Sequence, residues 1–140
     1  MKSKIYFGFL FPLFFAACAS EGSKLPTSEN DVDAARNFVN AALQGNYREA
    51  QIFMLPDSAN TEYLEAFERN FREHMPPDEK RGYREASINI HDVLPVNDSA
   101  TVVHYSNSFK RKRDSLLVVR NNGQWLVDLK YSFAPKNEAP

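Results

Sequence analysis

Apolar residues recur at three- and four-residue steps from Val32 onward. Val32, Ala35, Phe38, Val39, Ala42 and Leu43 share one side of a 3.6-residue helix, which predicts an amphipathic helix with that face inward. Ser28-Glu29-Asn30-Asp31 before it resembles a capping box with Asp in place of Glu, and Gly45 after it supplies the left-handed stop. A second capping pattern, Asn46-Tyr47-Arg48-Glu49, opens a short helix with Ala50, Phe53 and Met54 that Pro56 ends. The third helix is predicted from about Thr61 to His74. It carries Tyr63, Leu64, Phe67 and Phe71 on one side and Glu62, Glu65, Glu68, Arg69 and Arg72 on the other, with Pro76-Pro77 as terminator.

Past Pro77 the period changes from 3.6 to 2. Ala86, Ile88 and Ile90 alternate with polar residues as far as Pro95, and Asn97-Asp98 marks a turn into Ala100-Thr101-Val102-Val103-His104-Tyr105. Leu116-Leu117-Val118-Val119 leads to Asn122-Gly123, a strong type I′ hairpin signal because both residues tolerate positive φ. The returning strand places Trp125, Val127, Leu129 and Tyr131 on one face, which is the expected core face. The class is therefore α+β: three N-terminal helices packed on a curved, roughly four-stranded antiparallel sheet.

The N-terminus follows another rule. Behind the basic start Met1-Lys2-Ser3-Lys4, the run Ile5 to Ala17 is almost wholly apolar. It suits a signal-peptide core and falls short of the roughly 20 residues of a membrane-spanning helix. It ends Phe15-Ala16-Ala17-Cys18, and Cys18 is the chain's only cysteine. This resembles the lipobox of bacterial lipoproteins, with Phe15 departing from the branched aliphatic at its first position. The implied modification is a diacylglycerol thioether on Cys18. Ordinary cleavage at Ala17-Cys18-Ala19 is the alternative, but a single thiol in an exported chain has no disulfide partner, which favours lipidation.

These signals divide the chain into a signal peptide (1–17), a lipidated cysteine with a small, polar tether (18–27), one domain (28–133) and a tail (134–140) too rich in Pro and polar residues to pack. Without residues 1–17 the chain holds 15 basic and 18 acidic side chains, a net charge of −3. That balance and an exported location argue against nucleic acid as a partner. Ala19 and Ser20 lack the early aspartate of inner-membrane retention, so the expected location is the outer membrane of the cell envelope, anchored by lipid.

Candidate chemistry is sparse. His91, Asp92 and His104 fall on adjacent strands and could form a general base or a minimal metal set, but no H-x-H or H-x-x-x-H spacing supports this. As strand neighbours, His91 and Asp92 are expected on opposite faces. His74 at a helix end has a sufficient reason in the helix dipole. No G-x-S-x-G elbow or phosphate loop occurs. Lys110-Arg111-Lys112-Arg113 concentrates four cations between two strands, suited either to an anionic surface or to a solvated connection that discourages edge pairing. Tyr47, Phe53, Tyr63, Phe67 and Phe71 are the aromatic residues that could line a pocket, or simply fill the core.

The early wording Ala41-Ala42-Leu43-Gln44-Gly45-Asn46-Tyr47-Arg48-Glu49-Ala50 and the late wording Asn122-Gly123-Gln124-Trp125-Leu126-Val127-Asp128-Leu129 carry a resemblance. Over roughly Asp31 to Tyr131 the chain resembles small bacterial lipoproteins of unknown function with a nuclear-transport-factor-2-like, cystatin-like domain. The resemblance implies a cone, a sheet wrapped around the first helix with room for a pocket, and it implies no catalytic residues and no cofactor. The expected function is a lipid-anchored envelope module without catalysis that binds a small apolar ligand or an envelope protein. The alternatives are an isomerase- or dehydratase-like enzyme in the same cone, or an accessory subunit of an envelope complex.

Overall fold

The structure, a computed structural model, describes residues 24–133. Cys18 and the 134–140 tail lie outside the described residues.

Helix α1 spans Asp31–Leu43, and its cap is Asn30 rather than Ser28. The Asn30 side chain accepts from the Asp33 N–H at 2.9 Å, while Asp33 Oδ2 accepts from the Glu29 N–H at 2.9 Å. The capping box therefore reads two residues later than the sequence suggested, with Asp33 in the Glu position. The exit uses Gly45 at φ 75°: its N–H bonds to the Ala42 carbonyl and the Asn46 N–H to the Ala41 carbonyl, which is the Schellman arrangement. A side chain at Gly45 would also meet Phe71, whose ring stands 2.6 Å from the Cβ position.

Asn46 then caps α2, Tyr47–Ile52, accepting from the Glu49 N–H and donating to Glu49 Oε2 at 2.6 Å. Helix α3, Ser58–Arg69, starts one turn before the expected Thr61 because Asp57, just past Pro56, is its cap. It runs into one π turn, Asn70–His74, which carries Phe71 inward.

The sequence reading of three N-terminal helices omitted a fourth, α4, Pro77–Arg84. Pro77 stands at its first positions, where a missing N–H costs nothing, so Pro76-Pro77 ends one helix and opens the next. Periodicity was silent here, since α4 buries no residue fully.

Four strands follow in antiparallel order β1-β2-β3-β4: Ile88–Asn97, Ala100–Asn107, Asp114–Asn121 and Gln124–Asp128. Asn122 and Gly123 both have positive φ, giving the expected hairpin between β3 and β4. Edge strand β1 keeps Pro95 within it and breaks register at Ile90/Asp92 and Pro95/Asn97. Proline and bulges are tolerated at an edge and make it a poor template for pairing. The β4 edge is covered by the chain after α2, where Leu55 N–H bonds to the Val127 carbonyl and Val127 N–H to the Phe53 carbonyl.

The core lies between α1 and the inner face of the sheet: Ala34, Ala35 and Phe38 meet Val103, Leu116, Val118 and Val127. On the last strand Trp125 packs against the margin of the core, half-buried beside Leu25, Ile52 and Phe53, and one expectation needs correction. Tyr131 is 46% exposed because β4 stops at Asp128 and a short helix, α5, Lys130–Phe133, replaces the strand.

That switch is fixed by fully buried Asn60. Its Oδ1 accepts from the Leu129 N–H at 2.7 Å, and its Nδ2 donates to Asp57 and Asp128. Lys130 Nζ closes the cluster on Asp57 at 2.5 Å, and the Ser132 hydroxyl donates to the Ser115 carbonyl.

Candidate functional site

Packing α1 on the sheet leaves a cavity of about 240 Å³. One wall is the C-terminal half of α1, with Phe38, Val39, Ala42 and Leu43; the other is the sheet, with Tyr105, Leu116 and Leu129. Tyr47, Phe67, Phe71 and Met75 close one end, and Phe133 of α5 closes another, its ring 4.7 Å from Phe67. Tyr83, Asn107 and Asp114 make the polar part of the lining.

Beyond that polar part lies an outer vestibule of about 380 Å³. Tyr83, Tyr105, Asn107 and Asp114 line both spaces, and Lys110 and Lys112 line the outer one. The alternation of β2 accounts for the arrangement. Val103, Tyr105 and Asn107 point inward at two-residue spacing, and Asp114 pairs directly with Tyr105 across β3.

Burial raises the phenol pKa of all three tyrosines in the lining. Tyr47 is pushed up to about 12, with Glu68 adding to the effect. Tyr105 is raised by burial and then by the Asp114 carboxylate; Tyr83 is raised by burial against an opposing pull from Lys110. At neutral pH all three are protonated donors.

Of the five expected pocket residues, Tyr47, Phe67 and Phe71 do line this cavity. Phe53 does not: it is buried beneath β4 and faces a separate cleft with Trp125. Tyr63 stacks on Phe133 from outside the lining. Tyr83, Asn107 and Asp114 were missed as pocket residues. Tyr83 belongs to the overlooked α4, whereas the period-two pattern of β2 could have found Asn107 once Tyr105 was placed inward.

The basic segment is a built connection between β2 and β3. The Phe109 and Lys110 N–H groups bond to Asn107 Oδ1, the Arg111 N–H bonds to the Asn107 carbonyl, and Arg111 takes φ 57°. Lys110 pairs with Glu79 of α4 at 2.7 Å, which raises its pKa, and Arg113 reaches Asp92 at 3.7 Å. Lys110 and Lys112 thus belong to the vestibule, whereas Arg113 reaches the opposite side of the sheet.

His91, Asp92 and His104 lie away from the cavity. The bulge after Ile90 overturns the expectation that His91 and Asp92 point to opposite faces. Asp92 pairs with His104, and His91 Nε2 is 2.8 Å from Ser106 Oγ, so all three share the outer face. His74 is exposed at the end of the π turn. Among the described residues no group of three or more His, Cys, Asp or Glu could hold a metal ion, and no helix is long and apolar enough to cross a membrane.

No protein-family model matches the chain, and no curated protein does. Among solved structures it is similar to an NTF-2-like protein of unknown function from Shewanella oneidensis MR-1. The two share 16% identity at a TM-score of 0.50, over 69% of this chain and 89% of that one. At that identity the likeness speaks to the fold, which is NTF-2-like.

Proposed function

We propose that this protein is a lipid-anchored binding module of the cell envelope that takes a small apolar ligand between α1 and the sheet, without turning it over. The observation that carries the reading is the cavity itself. Its volume of about 240 Å³ is matched by the cleft beside Trp125; what sets it apart is its place between α1 and the sheet, with a lining chiefly of aliphatic and aromatic side chains. Its polar groups are the Tyr47 phenol at one end and, toward the vestibule, two phenols, one amide and one carboxylate, with no histidine among them. That inventory suits recognition better than proton transfer, and no cofactor is needed for it.

Two measurements test the reading. In a thermal-shift screen of the full chain, small apolar ligands should raise the melting temperature, as any ligand selective for the folded state does. Ala42→Phe, which fills the cavity from α1, should abolish the response while alanine at His91, Asp92 and His104 leaves it intact. Turnover abolished by the His/Asp substitutions in a folded protein would reverse this and favour an enzyme. The anchor is tested by intact mass: two or three acyl chains on Cys18 at about 0.8 kcal/mol per buried CH₂ give a firm hold, and an N-terminus at Ser20 with no lipid mass would refute it. A second reading, an accessory subunit, draws on exposed Val93, Leu94 and Val96 along β1.

A further inference from the structure

We infer that the ligand is a small amphiphilic carboxylate, its apolar body, a single ring or short chain, inside the cavity and its carboxylate in the vestibule against Lys112 and the Tyr83 and Tyr105 hydroxyls. The inference deepens the binding reading and rests on it.

Size sets the body. About 240 Å³ between α1 and the sheet suits a single ring or a short chain better than the two long chains of a diacyl lipid. Position sets the head. The two spaces adjoin at Tyr83, Tyr105, Asn107 and Asp114, so a molecule whose apolar part fills the inner one finds its polar neighbours at that junction.

Charge sets the kind of head. Lys110 is held by Glu79 at 2.7 Å and so contributes little net field. Lys112 makes no ion pair with a described residue, and it faces the vestibule. Tyr83 and Tyr105 remain protonated across the physiological range because burial raises both. One ammonium and two phenols belong to residues lining the vestibule, and a carboxylate is a small head that can accept from all three kinds of donor. Asp114 opposes this from beside Tyr105, at the same junction, and its position makes a zwitterionic head the rival to exclude.

The test uses four probes of nearly one shape: phenylacetate, phenylacetamide, phenethylamine and phenylalanine, titrated calorimetrically into the purified full chain at low and high salt. Phenylacetate should bind about fivefold or more tightly than the amide, the margin shrinking with salt, as a partly exposed ion pair requires. Lys112→Met should bring phenylacetate down to the affinity of the amide while leaving the amide unchanged, and Ala42→Phe should remove all binding. Equal binding of acid and amide, or tightest binding of phenylalanine or phenethylamine, would overturn the carboxylate inference and leave the binding reading standing. If none of the four probes binds, the carboxylate inference falls, and the binding reading falls with it only if the thermal-shift screen of small apolar ligands is also negative.

Discussion

At the scale of single residues, the positions that matter most are those where a polar group has been taken out of water. Asn60 is invisible to hydrophobic patterning, yet it is fully buried and joins the start of α3 to the end of β4 through three hydrogen bonds. Tyr47 is the counterpart in the cavity, and it makes stability pH-dependent. Its pKa rises from the ordinary 10.0 to about 12, so the folded state holds the phenol proton more tightly than the unfolded state does. The stabilisation is complete below pH 10 and is lost as pH climbs through about 12. At about 1.36 kcal/mol per unit, this costs about 2 kcal/mol by roughly pH 11.5. Urea titrations at pH 8 and about 11.5 should therefore show Tyr47→Phe retaining about 2 kcal/mol more of its neutral-pH stability than the native chain. An identical alkaline loss in both proteins would place the phenol in water.

At the scale of elements, patterning succeeded where one face is buried and failed where none is. The face of α1 and the β3–β4 hairpin were legible because Phe38 and Val39, and then Val118 and Val127, repeat with the period of their own backbone. Helix α4 was not, since its sequence Pro-Asp-Glu-Lys-Arg-Gly-Tyr-Arg presents no apolar stripe. Its attachment is by point contacts: Phe109 meets Tyr83 edge-on at 5.1 Å, Lys110 pairs with Glu79, and Gln44 just past α1 donates to the Arg84 carbonyl at 2.9 Å. Gly82 makes the approach, for a Cβ there would lie 2.4 Å from the Phe109 ring. In an isolated helix Gly→Ala is favourable by about 1 kcal/mol. Here Gly82→Ala should displace the half-exposed Phe109 ring, cancelling that gain and loosening α4 from the β2–β3 connection. Aromatic NMR shifts of Tyr83 and Phe109 would report it. Unchanged shifts together with a gain near 1 kcal/mol would show that the contact is dispensable.

For the molecule as a whole, the buried side chains are unevenly shared, and the pocket lies on the border between the rich and the poor regions. The fully buried residues concentrate in α1, β2, β3 and β4, with Ala34, Val103, Val118 and Val127 among them, whereas α4 and the 109–113 connection contribute none. The bend of β1 and the turn into α5 were beyond the sequence for a related reason: each is set by long-range partners, the register shift opposite β2 and the Asn60 bridge to Leu129. Stability should divide along the same border, because segments with few buried apolar contacts open at lower free energy than the core they cover. In native-state hydrogen exchange of the full chain, amides of Val103, Leu116 and Val118 should exchange only through global unfolding. Amides of 81–84 should exchange through a local opening several kcal/mol cheaper. Phenylacetate, if it binds as inferred, should slow the second class more than the first, since Tyr83 lines the occupied space. Exchange of α4 at the global free energy, with and without ligand, would mean that α4 is part of the cooperative core and that access to the cavity does not depend on its opening.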